Sequence, residues 1–417
     1  MNGSRSAACI VASPEAGDEC SVVSGSRMRY ASCNVEWRPM KSTEKSDRTR
    51  VAIVAASLRY VGGQSVQADL LLRHWQNDPE IQATLFPIDP ILPRALAWVE
   101  HIPVLRTLVR QPFYLWGLWR GLKHADIVHI FSASYWSFLI APAPALWIAR
   151  LRKKKVIIHY HSGEARDHLR RSRSARGILA QSDRLVVPSE YLVRVFREFG
   201  LEAQAVPNIV DLRQFSFRQR VPLHPHLICT RGFYPYYCVD VVVRAFARVK
   251  EKFPEAQLDL VGGGPLERDI RNLVREMRLT GVDFKGVTVH SEIERFYDQA
   301  DIFINASRLD NMPVSVLEAF ASGTAVVSTA PEAMPYLVNH QHTGLLSAPG
   351  DESALAENVI RLLQDSELAN RLISNAQQQL PRYSWLSVRE EWLEVYRALV
   401  SGKRKAIKEF ASSCMES

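Results

Sequence analysis

The sequence predicts an α/β chain made of two facing Rossmann-like domains with a cleft between them, and three observations carry that expectation. Its 417 residues exceed what one hydrophobic core supports, since single cores stop growing near roughly 250–300 residues. Short apolar runs alternate with helix-length segments, the pattern of a parallel sheet covered on both faces. That series occurs twice, and DLRQFSFRQRVPLHP at 211–225 parts the two, basic and proline-punctuated as a linker would be.

Residues 1–48 are rich in Ser, Arg, Gly and Asn without a sustained period of 2 or 3.6, so they read as a disordered extension, with Met1 and Met40 both open as starts. From Val51 the texture changes: VAIVAA is a buried strand, Gly62 and Gly63 make a turn, and a helix runs from Gln64 to Trp75. Apolar strands at 127–131, 156–160 and 185–187 complete the first series. The second begins with LICT at 227 and continues through LDLVG at 258, DIFIN at 301 and AVVST at 325. The expected organisation is a first domain over 49–212, a second over 213–382, a C-terminal helix over 383–402 packing back on the first domain, and a basic tail over 403–417. Ligands of such sheets sit beyond the C-terminal strand ends, so facing halves place a site between them.

A hydrophobic fraction of 47% with 23% charged residues excludes disordered and collagenous classes, and a net charge of +8 favours anionic partners. Six cysteines lie far apart with no CxxC pair, which suggests neither a disulfide framework nor a structural zinc and fits a reducing cytoplasm. The run from Ile127 to Ala149 lacks charged side chains and precedes the basic stretch Arg150–Lys155, but Pro142, Pro144 and the strand-like VIIHY that follows argue against a membrane span. The segment Pro90–Lys123 mixes Trp98, Phe113, Tyr114, Trp116 and Trp119 with Arg94, Arg106, Arg110, Arg120 and Lys123. It reads first as a pair of amphipathic helices packed on the first sheet, and second as a peripheral surface dipping into the inner face of the membrane beside a lipid acceptor. No RNA-binding module accompanies these residues, so nucleic acid is not an expected partner.

The chemistry concentrates in SRLDNMPVSVLEAFASGTAVVST, residues 307–329, which reads as loop, helix, glycine and strand. Asp310 and Asn311 are expected to cap the helix, Pro313 to open its first turn, Val314, Leu317 and Ala321 to form its buried face, and Gly323 to end it. Glu318 remains, on the opening turns at the same end of the sheet as Asp310. A carboxylate there can accept hydrogen bonds from both vicinal hydroxyls of a ribose, while free N–H groups at the helix start meet a pyrophosphate, with the helix dipole acting in the same sense.

This stretch resembles the paired-acidic motif of glycosyltransferase family 4, two acidic residues separated by seven others, with Asp310 in place of the usual first Glu. Other pieces agree in order: AASLRYVGG at 55, ADIVHIF at 125, VPSEYL at 187, VPNIVDLRQF at 206, LVGGGPL at 260 and HTGLL at 342. The likeness covers roughly 51–396. It implies the GT-B fold and a retaining, metal-independent transfer of a sugar from a UDP- or GDP-linked donor to a hydroxyl of a glycan or lipid-linked acceptor. By the same resemblance Arg231 neutralises the donor phosphates, and Tyr237 stands near the place of a Lys that usually assists. Gly62, Gly63 and Gly263, with Asn311, Met312, Pro313, Val314 and Glu318, bind the donor. His161 contacts the transferred sugar, while His159 points into the sheet. Glu332 and Ala333 stand where related sequences carry Gly-Gly.

Competing chemistries lack their residues. No GxGxxG opens the first helix, no GxxxxGK[ST] occurs, and no Asp-x-Asp is present to hold a metal on a nucleotide sugar, so neither a cofactor nor a metal site is expected. Two alternatives stay open: a nucleotide-sugar epimerase on the same architecture, and a non-catalytic nucleotide-sugar-binding subunit.

Overall fold

The computed structural model describes residues 48–59, 62–220 and 222–401. The expected extension up to residue 47 and the expected basic tail lie outside the described residues. The first series runs β1 (Thr49–Ala55), α1 (Gly63–Trp75), β2 (Ile81–Pro87), α2 (Pro103–Gly121), β3 (Ile127–Ser132), α3 (Tyr135–Ile140), α4 (Pro142–Leu151) and β4 (Lys155–Tyr160). It continues with α5 (Ala165–Arg171), α6 (Arg173–Leu179), β5 (Arg184–Val187), α7 (Glu190–Glu198) and β6 (Gln204–Ala205). These six strands form one parallel sheet in the order β2-β1-β3-β4-β5-β6.

The second series runs β7 (His226–Cys229), α8 (Val239–Lys252), β8 (Gln257–Val261), α9 (Glu267–Glu276), β9 (Val282–Gly286), α10 (Glu294–Gln299) and β10 (Ile302–Asn305). After these come α11 (Val314–Ser322), β11 (Ala325–Thr329), β12 (Leu345–Ser347), α12 (Glu352–Gln364), α13 (Ser366–Gln379) and α14 (Trp385–Val400). Its sheet is also six-stranded and parallel, ordered β12-β11-β10-β7-β8-β9.

Strand alternation sorts the side chains onto two faces of each sheet. On the first, Ala52, Val54, Val128 and Ile130 pack toward α2, α4 and α7, while Val51, Ile53, Ile127 and Ile157 pack toward α1. Both faces are covered, which is why β1 and β3 read as unbroken apolar runs. α14 completes the second of these faces with Val388, Trp392, Leu393 and Tyr396. Each such large side chain contributes about 1.5–3 kcal/mol on burial, enough to hold the C-terminal helix on the first sheet.

Three expectations can be set against the structure. Helical structure does span 94–121, as a 3₁₀ segment (Arg94–His101) and α2, but of the five aromatics in that stretch only Tyr114 is buried; Trp98, Phe113, Trp116 and Trp119 stay exposed. α2 turns its narrow face, Tyr114 and Leu118, to the sheet. Second, the uncharged run 127–149 is divided among β3, α3 and α4, and no helix of the described residues is long and apolar enough to cross a membrane. Third, the basic linker is not a solvated strap. Arg220 is buried and donates to the carbonyls of Ala300 and Tyr297, while Arg218 pairs with the buried Asp301 at 2.9 Å. The linker is thereby stapled to the start of β10.

Candidate functional site

In each sheet the chain starts at an inner strand, builds toward one edge, and returns to build toward the other. The switch points fall between β1 and β3 in the first sheet and between β7 and β10 in the second. Loops leaving strands on either side of such a point part and open a crevice. Gly62 and Gly63 follow β1 and open α1; Arg231 follows β7; Asp310 to Pro313 follow β10 and lead into α11. His161 leaves β4. Within each sheet, topology therefore brings these residues to the C-terminal strand ends.

The two halves touch there. A Cβ on Gly163 would lie 3.3 Å from the Asp310 carbonyl carbon and 3.3 Å from Leu309, so the loops after β4 and β10 are in contact. Asn311 accepts a hydrogen bond from Ser189 at 2.6 Å and donates to the His161 carbonyl at 3.4 Å. Asn208 donates through Nδ2 to the Met312 carbonyl at 2.8 Å.

Arg231 is buried and ion-paired with Asp310 at 2.5 Å, donates to Ser315 Oγ at 3.1 Å, and lies over the Tyr237 ring at 4.0 Å. Burial works to lower its pKa, but the charge of Asp310 and the neighbouring Tyr237 outweigh that and leave it raised. Arg231 is thus a fixed, fully charged group. Its loop is set by glycine: Gly262 has φ +154, and a Cβ there would fall 2.2 Å from the Arg231 carbonyl oxygen. Phe233 N–H donates to the carbonyl of Gly263 at 3.0 Å, closing the glycine loop onto the arginine segment.

Glu318 is buried on α11. Its Oε1 accepts from His290 Nε2 at 2.9 Å, and its Oε2 lies 2.9 Å from the Tyr297 hydroxyl. All nine residues of α11 are buried, so the expected single buried face of Val314, Leu317 and Ala321 is in fact a helix enclosed on every side. Its capping also differs from expectation. Pro313 occupies the N-cap position and no side chain caps the helix, because Asp310 is taken by Arg231 and Asn311 by Ser189. The α11 N–H groups are left without a side-chain cap. Gly323 ends the helix at φ +73, as its sequence position suggested.

On the opposite wall, burial pushes His161 down to about 3, and His129 to about 3 as well, while His159 falls well below its usual value. His129 Nδ1 is 2.9 Å from the Tyr396 hydroxyl and its Nε2 is 3.2 Å from His159 Nδ1. The His159 and His161 rings are 4.0 Å apart, and His161 Nε2 is shielded from solvent without a partner among the described residues. Gly62 and Gly63 have negative or extended φ and, among the described residues, open space where a Cβ would stand, so the backbone does not demand glycine there.

Four further residues were not singled out by sequence: His290 and Tyr297 on Glu318, and Ser189 and Asn208 across the cleft. Ser189 and Asn208 lie in the VPSEYL and VPNIVDLRQF stretches, which give no sign of the partner each meets, while His290, in a turn, and Tyr297, on α10, carry no local signal of their contact with Glu318. Glu332 now has a physical account. It pairs with Arg166 at 2.8 Å and accepts from the Tyr191 hydroxyl, both on the first half, a bridge that glycine could not make. The described Cys229 and Cys238 are buried and free, and no group of three or more His, Cys, Asp or Glu among the described residues could hold a metal ion.

Residues 61–214 match the family described as Glycosyltransferase Family 4, and residues 222–379 match Glycosyl transferases group 1. A phosphatidyl-myo-inositol mannosyltransferase of Mycobacterium leprae is 24% identical over 75% of this chain and 82% of its own length. An exopolysaccharide phosphotransferase of Streptomyces coelicolor is 29% identical over 63% of this chain, which spans only 29% of that longer protein. Among solved structures, sucrose-phosphate synthase from Thermosynechococcus elongatus matches 85% of this chain and all of its own at a TM-score of 0.64 and 21% identity. HepE of Anabaena in complex with UDP-glucose matches 84% of this chain and all of its own at 0.65 and 14%. The two matched segments follow one another along the chain as its two sheets do, and on that agreement the chain belongs to glycosyltransferase family 4, with the GT-B fold.

Proposed function

We propose that the chain transfers a sugar from a UDP- or GDP-linked donor to a hydroxyl of a glycolipid or polysaccharide intermediate, with retained configuration and without a metal ion. The observation that carries this reading is the convergence of Arg231, Glu318 and the uncapped start of α11 on one wall of the cleft, with His161 on the other. Glu318 receives the donor ribose. Arg231 and the α11 N–H groups receive the diphosphate as the bond between its oxygen and the sugar C1 breaks, and the acceptor oxygen bonds to C1 while its proton passes to the departing diphosphate. Asp310 keeps Arg231 aimed before the donor arrives. Gly62 and Gly63 admit the phosphates to the first half, Gly263 and the segment Asn311–Val314 line the donor side, and His161 meets the sugar as a neutral imidazole.

In this reading residues 49–212 form the acceptor domain, residues 213–382 the donor domain, and 383–402 a helix returning to the former. The UDP-glucose bound to HepE supports a uridine donor, and the mannosyltransferase named above supports a lipid-linked acceptor. A peripheral station at the inner, cytoplasmic face of the membrane is part of this reading, supported by Trp98, Trp116, Trp119, Trp136 and Trp147, all exposed, with Arg152 over Trp119 at 3.9 Å and Arg120 over Trp116 at 5.5 Å. A thermal-shift panel of UDP, GDP, ADP and their sugars tests the donor. One nucleotide should raise the melting temperature, because a ligand at 100 times its Kd adds about 2.7 kcal/mol of stability. No response to any of them would overturn the assignment.

A further inference from the structure

We propose that His290 is a positioning residue for the donor: it sets the Glu318 carboxylate for the two ribose hydroxyls, an inference that rests on the reading of Glu318 given above. A glutamate has three rotatable bonds, so a ribose-binding Glu must be held before its ligand arrives or its ordering is charged against binding. His290, in the turn between β9 and α10, donates through Nε2 to Oε1 at 2.9 Å. Tyr297 is the other donor in reach, 2.9 Å from Oε2, but its single hydroxyl proton is also claimed by the Ser315 carbonyl at 3.0 Å. The histidine hold is the undivided one. Each carboxylate oxygen has a second lone pair, so one acceptor site per oxygen remains for a vicinal diol.

His290 is itself fixed from behind. Gln214, in the linker between the two sheets, donates through Nε2 to the His290 carbonyl at 2.5 Å. The chain of contacts thus runs from linker to His290 to Glu318. The imidazole is one-fifth exposed, whereas Glu318 and Tyr297 are buried. A residue needed only for packing would be buried outright, whereas His290 keeps part of its ring exposed while spending its proton on a buried carboxylate.

The test is calorimetric titration of the full chain and of His290→Ala and His290→Gln with UDP and GDP and with their 2′,3′-dideoxy analogues. With the nucleotide that wild type binds, His290→Ala should weaken the ribonucleotide about tenfold and the dideoxy analogue less than about twofold, since the latter presents no diol for Glu318 to grip. His290→Gln, whose amide can still donate, should stay within about threefold of wild type on the ribonucleotide. Equal weakening of ribo and dideoxy ligands by His290→Ala would show a merely structural role and overturn the inference, as would no weakening of either. Wild type binding neither UDP nor GDP would instead bring down the donor reading and this inference with it.

Discussion

The two halves have the same sheet size and strand direction yet face each other with opposite chemistry. The second presents groups that are charged and already engaged: Arg231 on Asp310, Glu318 on His290. The first presents His161, held neutral by burial, with Nε2 unpartnered among the described residues. The contrast follows from what each would meet. A diphosphate carries charge that grows as its bond to the sugar breaks and needs fixed opposite charge, whereas a sugar hydroxyl needs a neutral donor or acceptor and would be poorly served by a cation.

Removing the charge on the second half should have the largest effect. Arg231→Ala is expected to lower turnover about 100- to 1000-fold, the usual cost of one preorganised electrostatic contact. It also strands Asp310, so the single variant should melt lower; the double variant with Asp310→Ala should regain the melting temperature but not the rate. A double variant that regains both would reduce the pair to a structural ion bridge and erase the difference between the halves.

The neutral half makes a prediction of opposite kind, in stability rather than rate. His129, His159 and His161 have folded pKa values below the ordinary 6.5, so below that pH the unfolded chain binds protons that the folded chain refuses. Their contribution is complete above about pH 6.5 and is lost progressively as pH falls below that, with a slope of up to about 1.4 kcal/mol per pH unit for each. Urea unfolding at several pH values should show His159→Gln with a shallower slope than wild type. Equal slopes would mean that His159 is not held neutral by the fold.

The smallest expected effect concerns the outer surface of the first half, for which the second has no counterpart in exposed tryptophan. The full chain should float with anionic liposomes at low salt and be lost at high salt, since basic residues near such a surface contribute about 1 kcal/mol each and are screened. Trp116→Ala with Trp119→Ala should cut recovery several-fold. Equal recovery on neutral liposomes would remove the electrostatic part of that reading.

How much of this was legible in the sequence depended on whether a local pattern existed. β1, β3, β4, β10 and β11 are enclosed on both faces and read as apolar runs, but β2, β6, β9 and β12 lie at or beside sheet edges, are short or half-exposed, and have no such signature. The 307–329 stretch announced α11 and its glycine stop, but not that Asp310 pairs with an arginine 79 residues earlier. His290 and Glu332 act through partners far away in the chain, and a single sequence holds no trace of such pairings. The aromatics of α2 misled for a plainer reason: helical spacing says they share a helix, not which side of it faces the core.

The central claim, that Glu318 grips a nucleotide sugar and that fixed charges on the second half carry the reaction, is tested most directly by transfer from the donor the thermal panel selects. Wild type and Glu318→Gln would be assayed with and without EDTA, and the product's anomeric configuration read by NMR. The account predicts EDTA-insensitive transfer with retained configuration in wild type and, because Gln keeps the shape but loses one acceptor oxygen, a donor KM raised at least about tenfold in the variant. Full activity of Glu318→Gln, or abolition of wild-type transfer by EDTA, would contradict it.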